Sequence, residues 1–227
     1  MVVIEYKFGF LDADFTGNLC LEERYILDCL GYRGGKEPSL DTLRRLRELM
    51  TRLDGCGLIA LGTSRMVDDF RINNAGIITP YGDIKSFRIS SFANRRNIVG
   101  ISVGLVTLDG FLLDRSQDLL QDYIIHGIGS AAVEKAEDEL IKIIEEQTGY
   151  YASLPFAPGY CDWGFAKGQR FILRLLDPSI IGVHIDPKNL IMTPIYTISF
   201  MVLLSPEKMD KNPCHYCDNA GCPMRRA

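Results

Sequence analysis

The sequence contains no apolar run approaching the roughly 20 residues that a membrane-spanning helix needs, and its opening MVVIEYKFGF has neither the basic nor the hydrophobic region of a signal peptide. It has no basic excess. Its 25 Lys and Arg face 29 Asp and Glu, giving a net charge of −4, so there is no surplus of cations to neutralise phosphates and a nucleic-acid partner is not expected. No repeat and no low-complexity linker interrupts the chain. Seven cysteines are present, but an odd number with four of them scattered (Cys20, Cys29, Cys56, Cys161) is not a secreted disulfide framework. These absences predict a cytoplasmic protein with no membrane and no nucleic acid among its partners.

What is present is an ordinary globular composition, 227 residues with 47% hydrophobic and 24% charged, long enough to bury a core without disulfides. The first ten residues favour a strand. Glu22 to Gly31 and Ser39 to Leu53 read as helices, with Ser39 placed to cap the second. Gly57 to Gly62, Asp68 to Ile72 and Gly76 to Thr79 read as short strands, Asp83 to Asn94 as a helix, and Asn97 to Leu108 as a buried strand. Ser116 to Gln147 carries the longest helical period, from Leu119 through Ile128 to Ile144. A helix over Phe165 to Leu176 and strands over Ile180 to Ile185 and Ile195 to Leu204 complete the pattern. Strands and helices occur in clusters without βαβ alternation, which predicts an α+β fold with an antiparallel sheet.

Two motifs invite a ligand. Gly127-Ile-Gly-Ser-Ala-Ala132 matches the G-x-G-x-x-A dinucleotide fingerprint, but it lies inside a helical period and no second strand ending in an acidic residue follows it. A tight helix crossing explains its small residues better. The run from Asp12 to Glu23 places oxygen-bearing side chains at calcium-loop positions one, three, five and twelve, with Gly17 at six. The incoming segment reads as a strand and no partner loop exists, so an acidic turn leading into the Glu22 helix stands beside calcium binding.

Ala157-Pro158-Gly159-Tyr160 has a clear physical logic. Pro158 fixes φ and removes a donor, Gly159 lets the backbone turn or approach a ligand, and Tyr160 offers an aromatic face with one hydroxyl. Around it, in order, stand Gly129-Ser-Ala-Ala-Val-Glu134, Pro155-Phe156, Asp162-Trp163, Gln169, Ile181-Gly-Val183, Met192-Thr-Pro194 and Ser199. From Gly127 to Ser205 this ordered set resembles the activation (reactivation) domain of cobalamin-dependent methionine synthase, in its free-standing form.

The resemblance implies a C-shaped α+β domain, with a twisted antiparallel sheet and long helices, that binds S-adenosylmethionine in a shallow site built largely of backbone. It also implies docking on a separate corrinoid-binding methionine synthase polypeptide, whose cobalamin is reductively methylated with an electron from a flavodoxin-like donor. By the same resemblance Glu134 faces the cationic ligand, Ala157, Pro158 and Gly159 form the ligand loop, and Tyr160 is the loop tyrosine. One departure stands out. The family usually has arginine, gripping the ligand carboxylate, where this chain has Pro155, a loss of about 1.5–3 kcal/mol of charge-assisted contact. None of His126, His184 and His215 stands in a D-x-H-x-x-G corrinoid context, so cobalamin is expected on the partner and this chain reads as an accessory subunit.

Residues 1–211 are thus read as the activation-like domain and 212–227 as a Cys-rich tail. Cys214, Cys217 and Cys222 form a C-x2-C-x4-C cluster whose close pair has metal-chelate spacing; zinc and an iron–sulfur cluster both remain open, as does an unstructured tail of free thiols. Two other functional classes follow from the same residues: a redox or metal carrier working through the tail, and a docking protein for a corrinoid partner with no ligand of its own.

Overall fold

The computed structural model describes residues 8–9, 21–33, 36–54, 59–109 and 118–210. The calcium-like loop up to Cys20, the Cys214, Cys217 and Cys222 tail, Cys20 and Cys56 lie outside them.

Two strands set the frame. β6 (Gly100–Asp109) and β10 (Thr197–Ser205) pair antiparallel from Thr197↔Thr107 to Leu204↔Gly100. Their side chains alternate with period two. Ile101, Val103, Leu105, Met201 and Leu203 enter one buried cluster, while Val106, Leu108, Phe200, Val202 and Leu204 enter another on the opposite face. β2 (Ile59–Val67) pairs with β6, β1 (Phe8–Gly9) with β2, and β7 (Tyr151–Ala152) with β10, giving a five-stranded antiparallel sheet in the order β1-β2-β6-β10-β7. A small meander of β3 (Arg71–Asn73), β4 (Gly76–Thr79) and β5 (Gly82–Ile84) joins the first face.

The long helix α4 (Leu119–Thr148) covers the second face. It begins where Asp118 accepts from Leu120 N and Gln121 N, and ends at Gly149 with φ +70, the expected cap at each end. Ala132, Val133, Ala136, Leu140 and Ile144 meet the sheet, while Ile124, Ile128 and Ala131 face the other way. Against that outer stripe pack α1 (Glu23–Cys29) and α2 (Leu40–Asp54) through Ile26, Leu27, Leu46 and Leu49. Ser39 does cap α2, accepting from Thr42 N at 3.1 Å. On the first face lie α3 (Phe87–Ala93) and α5 (Phe165–Leu175). The α+β class with an antiparallel sheet and a long helix is therefore as expected.

Several local expectations need correction. Ile180 to Ile185 is not one strand: Pro178–Ile181 is a 3-10 turn capped by Gly182 at φ +70, and only His184–Ile185 (β8) pairs, with Met192–Thr193 (β9). Pro178 at the start and a left-handed glycine after Ile181 outweigh the apolar run. The helix expected from Asp83 starts at Phe87, because Gly82–Ile84 is spent on β5 and Ser86 is the cap. β2 extends to Val67, well past Gly62, since its polar Thr63, Ser64 and Arg65 are still paired with β6.

The Gly127 to Ala132 stretch lies in the middle of α4, with no free helix start for a pyrophosphate. Its small residues admit side chains instead of a second backbone. A Cβ on Gly127 would meet the Leu30 side chain at 2.4 Å, and one on Gly129 the Tyr196 ring at 2.4 Å.

Candidate functional site

After β7 the chain stays against the edge of β10. Ser153 N donates to Leu203 O at 2.8 Å, and Ser153 Oγ accepts from Leu203 N, a side chain standing in for a ladder carbonyl. Phe156 and Met201 then exchange both backbone bonds, at 2.8 and 3.0 Å. This fixes the point at which the candidate loop leaves the sheet.

The loop closes on itself. Tyr160 N donates to Ala157 O at 3.1 Å around Pro158 and Gly159, with Gly159 at φ +97. Proline second and a left-handed glycine third are what a type II turn requires. Trp163 N then donates to Tyr160 O at 2.9 Å around Cys161 (φ +50) and Asp162 (φ +55), two positive values in succession as in a type I′ turn. A third bond, Gly159 N to Trp163 O at 2.8 Å, ties the two turns together. Left-handed backbone at a residue other than glycine costs on the order of 1–3 kcal/mol. Here it occurs at two adjacent residues, so the surroundings must hold it.

They do so from both sides. Trp163 is 1% exposed and packs on Phe171 of α5, with ring centres 6.2 Å apart. A Cβ on Gly168 would strike both Trp163 and Pro158, at 2.9 and 3.0 Å, so the helix lies directly against the loop. The Trp163 indole N–H has no hydrogen-bond partner among the described residues. On the other side, Asp162 reaches α3: its carboxylate accepts from Phe87 N at 3.1 Å and Arg88 N at 3.3 Å, and the Ser86 hydroxyl lies 2.5 Å from Asp162 Oδ1 and 2.7 Å from Cys161 O. What remains outside is Tyr160, 70% exposed. Phe165, whose Cβ would lie 3.8 Å from a Cβ added to Gly159, and Phe87, whose N–H is bonded to Asp162, are also exposed.

The structure thus gathers Ala157, Pro158, Gly159 and Tyr160 into one presented turn. Glu134 belongs to α4, on the opposite face of the sheet from the loop's anchors Phe156 and Trp163. Its carboxylate accepts from Tyr25 Oη of α1 at 2.6 Å, and no hydrogen bond links it to the loop among the described residues. Burial, then the bond to Glu134, pushes the Tyr25 hydroxyl well above its ordinary pKa. One turn along α4, withdrawal from water and then the charges of Asp138 and Glu134 push Glu137 up to about 8.

Pro155 is half-buried in the edge segment. Lys167 and Arg170 are exposed on α5 and make no ion pair among the described residues. Between the loop and the sheet, buried Gln169 accepts from Ser199 Oγ at 2.8 Å and donates to Met192 Sδ at 3.1 Å, joining α5, β9 and β10. A cavity of about 430 Å³ opens at the other end of α5, lined by Thr63, Arg65 and Arg174 to Pro178. There Arg65 Nη1 donates to Leu175 O at 3.3 Å, a cap for the helix end, so this cavity is separate from the loop. No group of three or more metal-ligating side chains occurs among the described residues, and no described helix is long and apolar enough to cross a membrane.

Asp162, Ser86 and Tyr25 were not assigned roles by the sequence. Ser86 before an apolar helical run carried a capping signal, but nothing local marked the other two.

No family model matches the sequence, and no curated protein matches it. Among solved structures, the chain is similar to the crystal structure of the MetH reactivation domain bound to AdoHcy. The likeness has a TM-score of 0.56 at 12% identity, over 92% of this chain and 80% of that one. At that identity the shared property is the fold.

Proposed function

We propose that this chain binds an S-adenosyl ligand at the Ala157–Tyr160 turn and serves as an accessory subunit of a separate cobalamin-dependent methionine synthase, supporting reductive methylation of the partner's cobalamin. The observation that carries this reading is the presented, left-handed Pro158-Gly159-Tyr160 turn at the edge of β10, in a fold shared with a domain bound to AdoHcy (S-adenosylhomocysteine). The exposed Tyr160 ring offers a stacking face and one hydroxyl. Glu134, which the resemblance also assigns to the ligand, lies on α4 across the sheet from the anchors of this turn and is not counted among the turn's own contacts. The cobalamin and the flavodoxin-like electron donor belong to other polypeptides.

Without an arginine at position 155 the ligand carboxylate lacks that contact, so affinity should fall below that of a site that has one. Titration calorimetry of the full chain with AdoHcy and with S-adenosylmethionine tests the reading, and absence of binding by both rejects it. The Cys214, Cys217 and Cys222 cluster is proposed as a separate metal appendage. Elemental analysis of the full chain against one ending at Lys211 checks that: zinc or iron lost with the tail supports it, and none in the full chain rejects it.

A further inference from the structure

We infer that Asp162 is the positioning residue of the ligand loop: through Ser86, Phe87 and Arg88 its carboxylate clamps the Pro158–Trp163 double turn to the start of α3 and holds Tyr160 in its binding attitude. The affinity part of this inference rests on the adenosyl-ligand reading; the clamp itself does not.

The geometry is specific. Both carboxylate oxygens are used, Oδ2 by Phe87 N and Oδ1 by Arg88 N and the Ser86 hydroxyl, and that hydroxyl also lies against Cys161 O. Two adjacent left-handed residues, Cys161 and Asp162, are therefore the two that α3 grips. Within the loop the second turn is bonded to the first by Gly159 N to Trp163 O, so the clamp is transmitted to the Pro158-Gly159 peptide, next to Tyr160. Loss of the carboxylate removes the bonds to Ser86, Phe87 and Arg88 and leaves the Ser86 hydroxyl on Cys161 O, so Cys161 and Asp162 relax more easily to ordinary backbone, which would turn Tyr160 away. A carboxylate that served only to cap α3 would lower the melting temperature and leave the ligand's affinity untouched well below it.

Trp163 is the single tryptophan of the chain and lies buried beneath the loop, so its emission reports the loop alone. Asp162→Ala and Asp162→Asn are compared with the wild-type full chain by acrylamide quenching of Trp163, far-ultraviolet circular dichroism and AdoHcy titration. Expected for Asp162→Ala is native secondary structure, easier quenching and a Kd raised about tenfold, the loss of a charge-assisted clamp. Asparagine keeps one acceptor and tolerates positive φ, so Asp162→Asn should fall between and serves as the deciding variant if alanine prevents folding. Unchanged quenching in a folded variant overturns the clamp. Easier quenching with an unchanged Kd overturns the positioning role. If the wild-type chain binds no AdoHcy, the functional reading fails, and the quenching comparison alone decides whether Asp162 holds the loop.

Discussion

The hydroxyl of Tyr25, on α1, donates a 2.6 Å hydrogen bond to Oε2 of Glu134, on α4. It joins the outer helical layer to the one α4 carboxylate assigned to the ligand. Tyr25→Phe removes the donor and leaves a half-buried carboxylate less satisfied, at a cost of about 1 kcal/mol. Thermal melts at neutral pH should show a drop of ~2–4 °C. Because the folded state holds the Tyr25 proton more tightly than the unfolded chain, this contribution is complete below about pH 10 and fades as pH rises further. The gap between wild type and variant should accordingly narrow in alkaline buffer.

Glu137 has a consequence of the same sign in a more accessible range. Its folded pKa of about 8 exceeds the ordinary 4.5, so its effect on stability is most favourable below pH 4.5 and is progressively lost as pH rises through 8. Glu137→Gln removes that loss. Melting curves should show the variant above wild type by at least ~2 °C at pH 8.5, with the difference closing towards pH 4.5.

At Gly159, φ is +97 and the nearest atom to an added Cβ is Phe165 Cβ at 3.8 Å. Space is thus available but the backbone conformation is not. Gly159→Ala should cost about 1–2 kcal/mol in stability through strain alone, and should weaken AdoHcy binding as the turn relaxes. A melt and a titration on the same sample measure both effects.

A gain of function is expected from Pro155→Arg. A guanidinium at the start of the loop supplies the carboxylate contact that the chain lacks, worth about 1.5–3 kcal/mol and so at least about tenfold in affinity. Competition with adenosine, which has no carboxylate, should show no such gain, and comparing the two titrations checks the assignment.

The parts of this fold governed by local periodicity were legible in the sequence. β6 and β10 were found because they are apolar runs rich in strand-favouring residues, α4 because the 3.6-residue period runs unbroken through it, and the start of α2 followed from Ser39. Ile180 to Ile185 misled because an apolar run does not distinguish a strand from a proline-initiated turn. β7 has only two residues and exists because β10 offers it an edge. The site divides in the same way. The Pro158-Gly159 turn is a local signal, whereas Asp162 meets its partners 74 to 76 residues away and Tyr25 meets Glu134 across 109, contacts that only the folded arrangement of α1, α3 and α4 reveals.

The central claim is tested most directly by calorimetric titration of AdoHcy into the wild-type chain and into Tyr160→Ala, whose lost ring is exposed and contributes little to stability. The account predicts saturable binding to the wild type with a dissociation constant between about 1 μM and 1 mM, weakened roughly tenfold or more by loss of the Tyr160 ring. Equal affinity in the two proteins, or no binding to the wild type up to about 1 mM ligand, would contradict it.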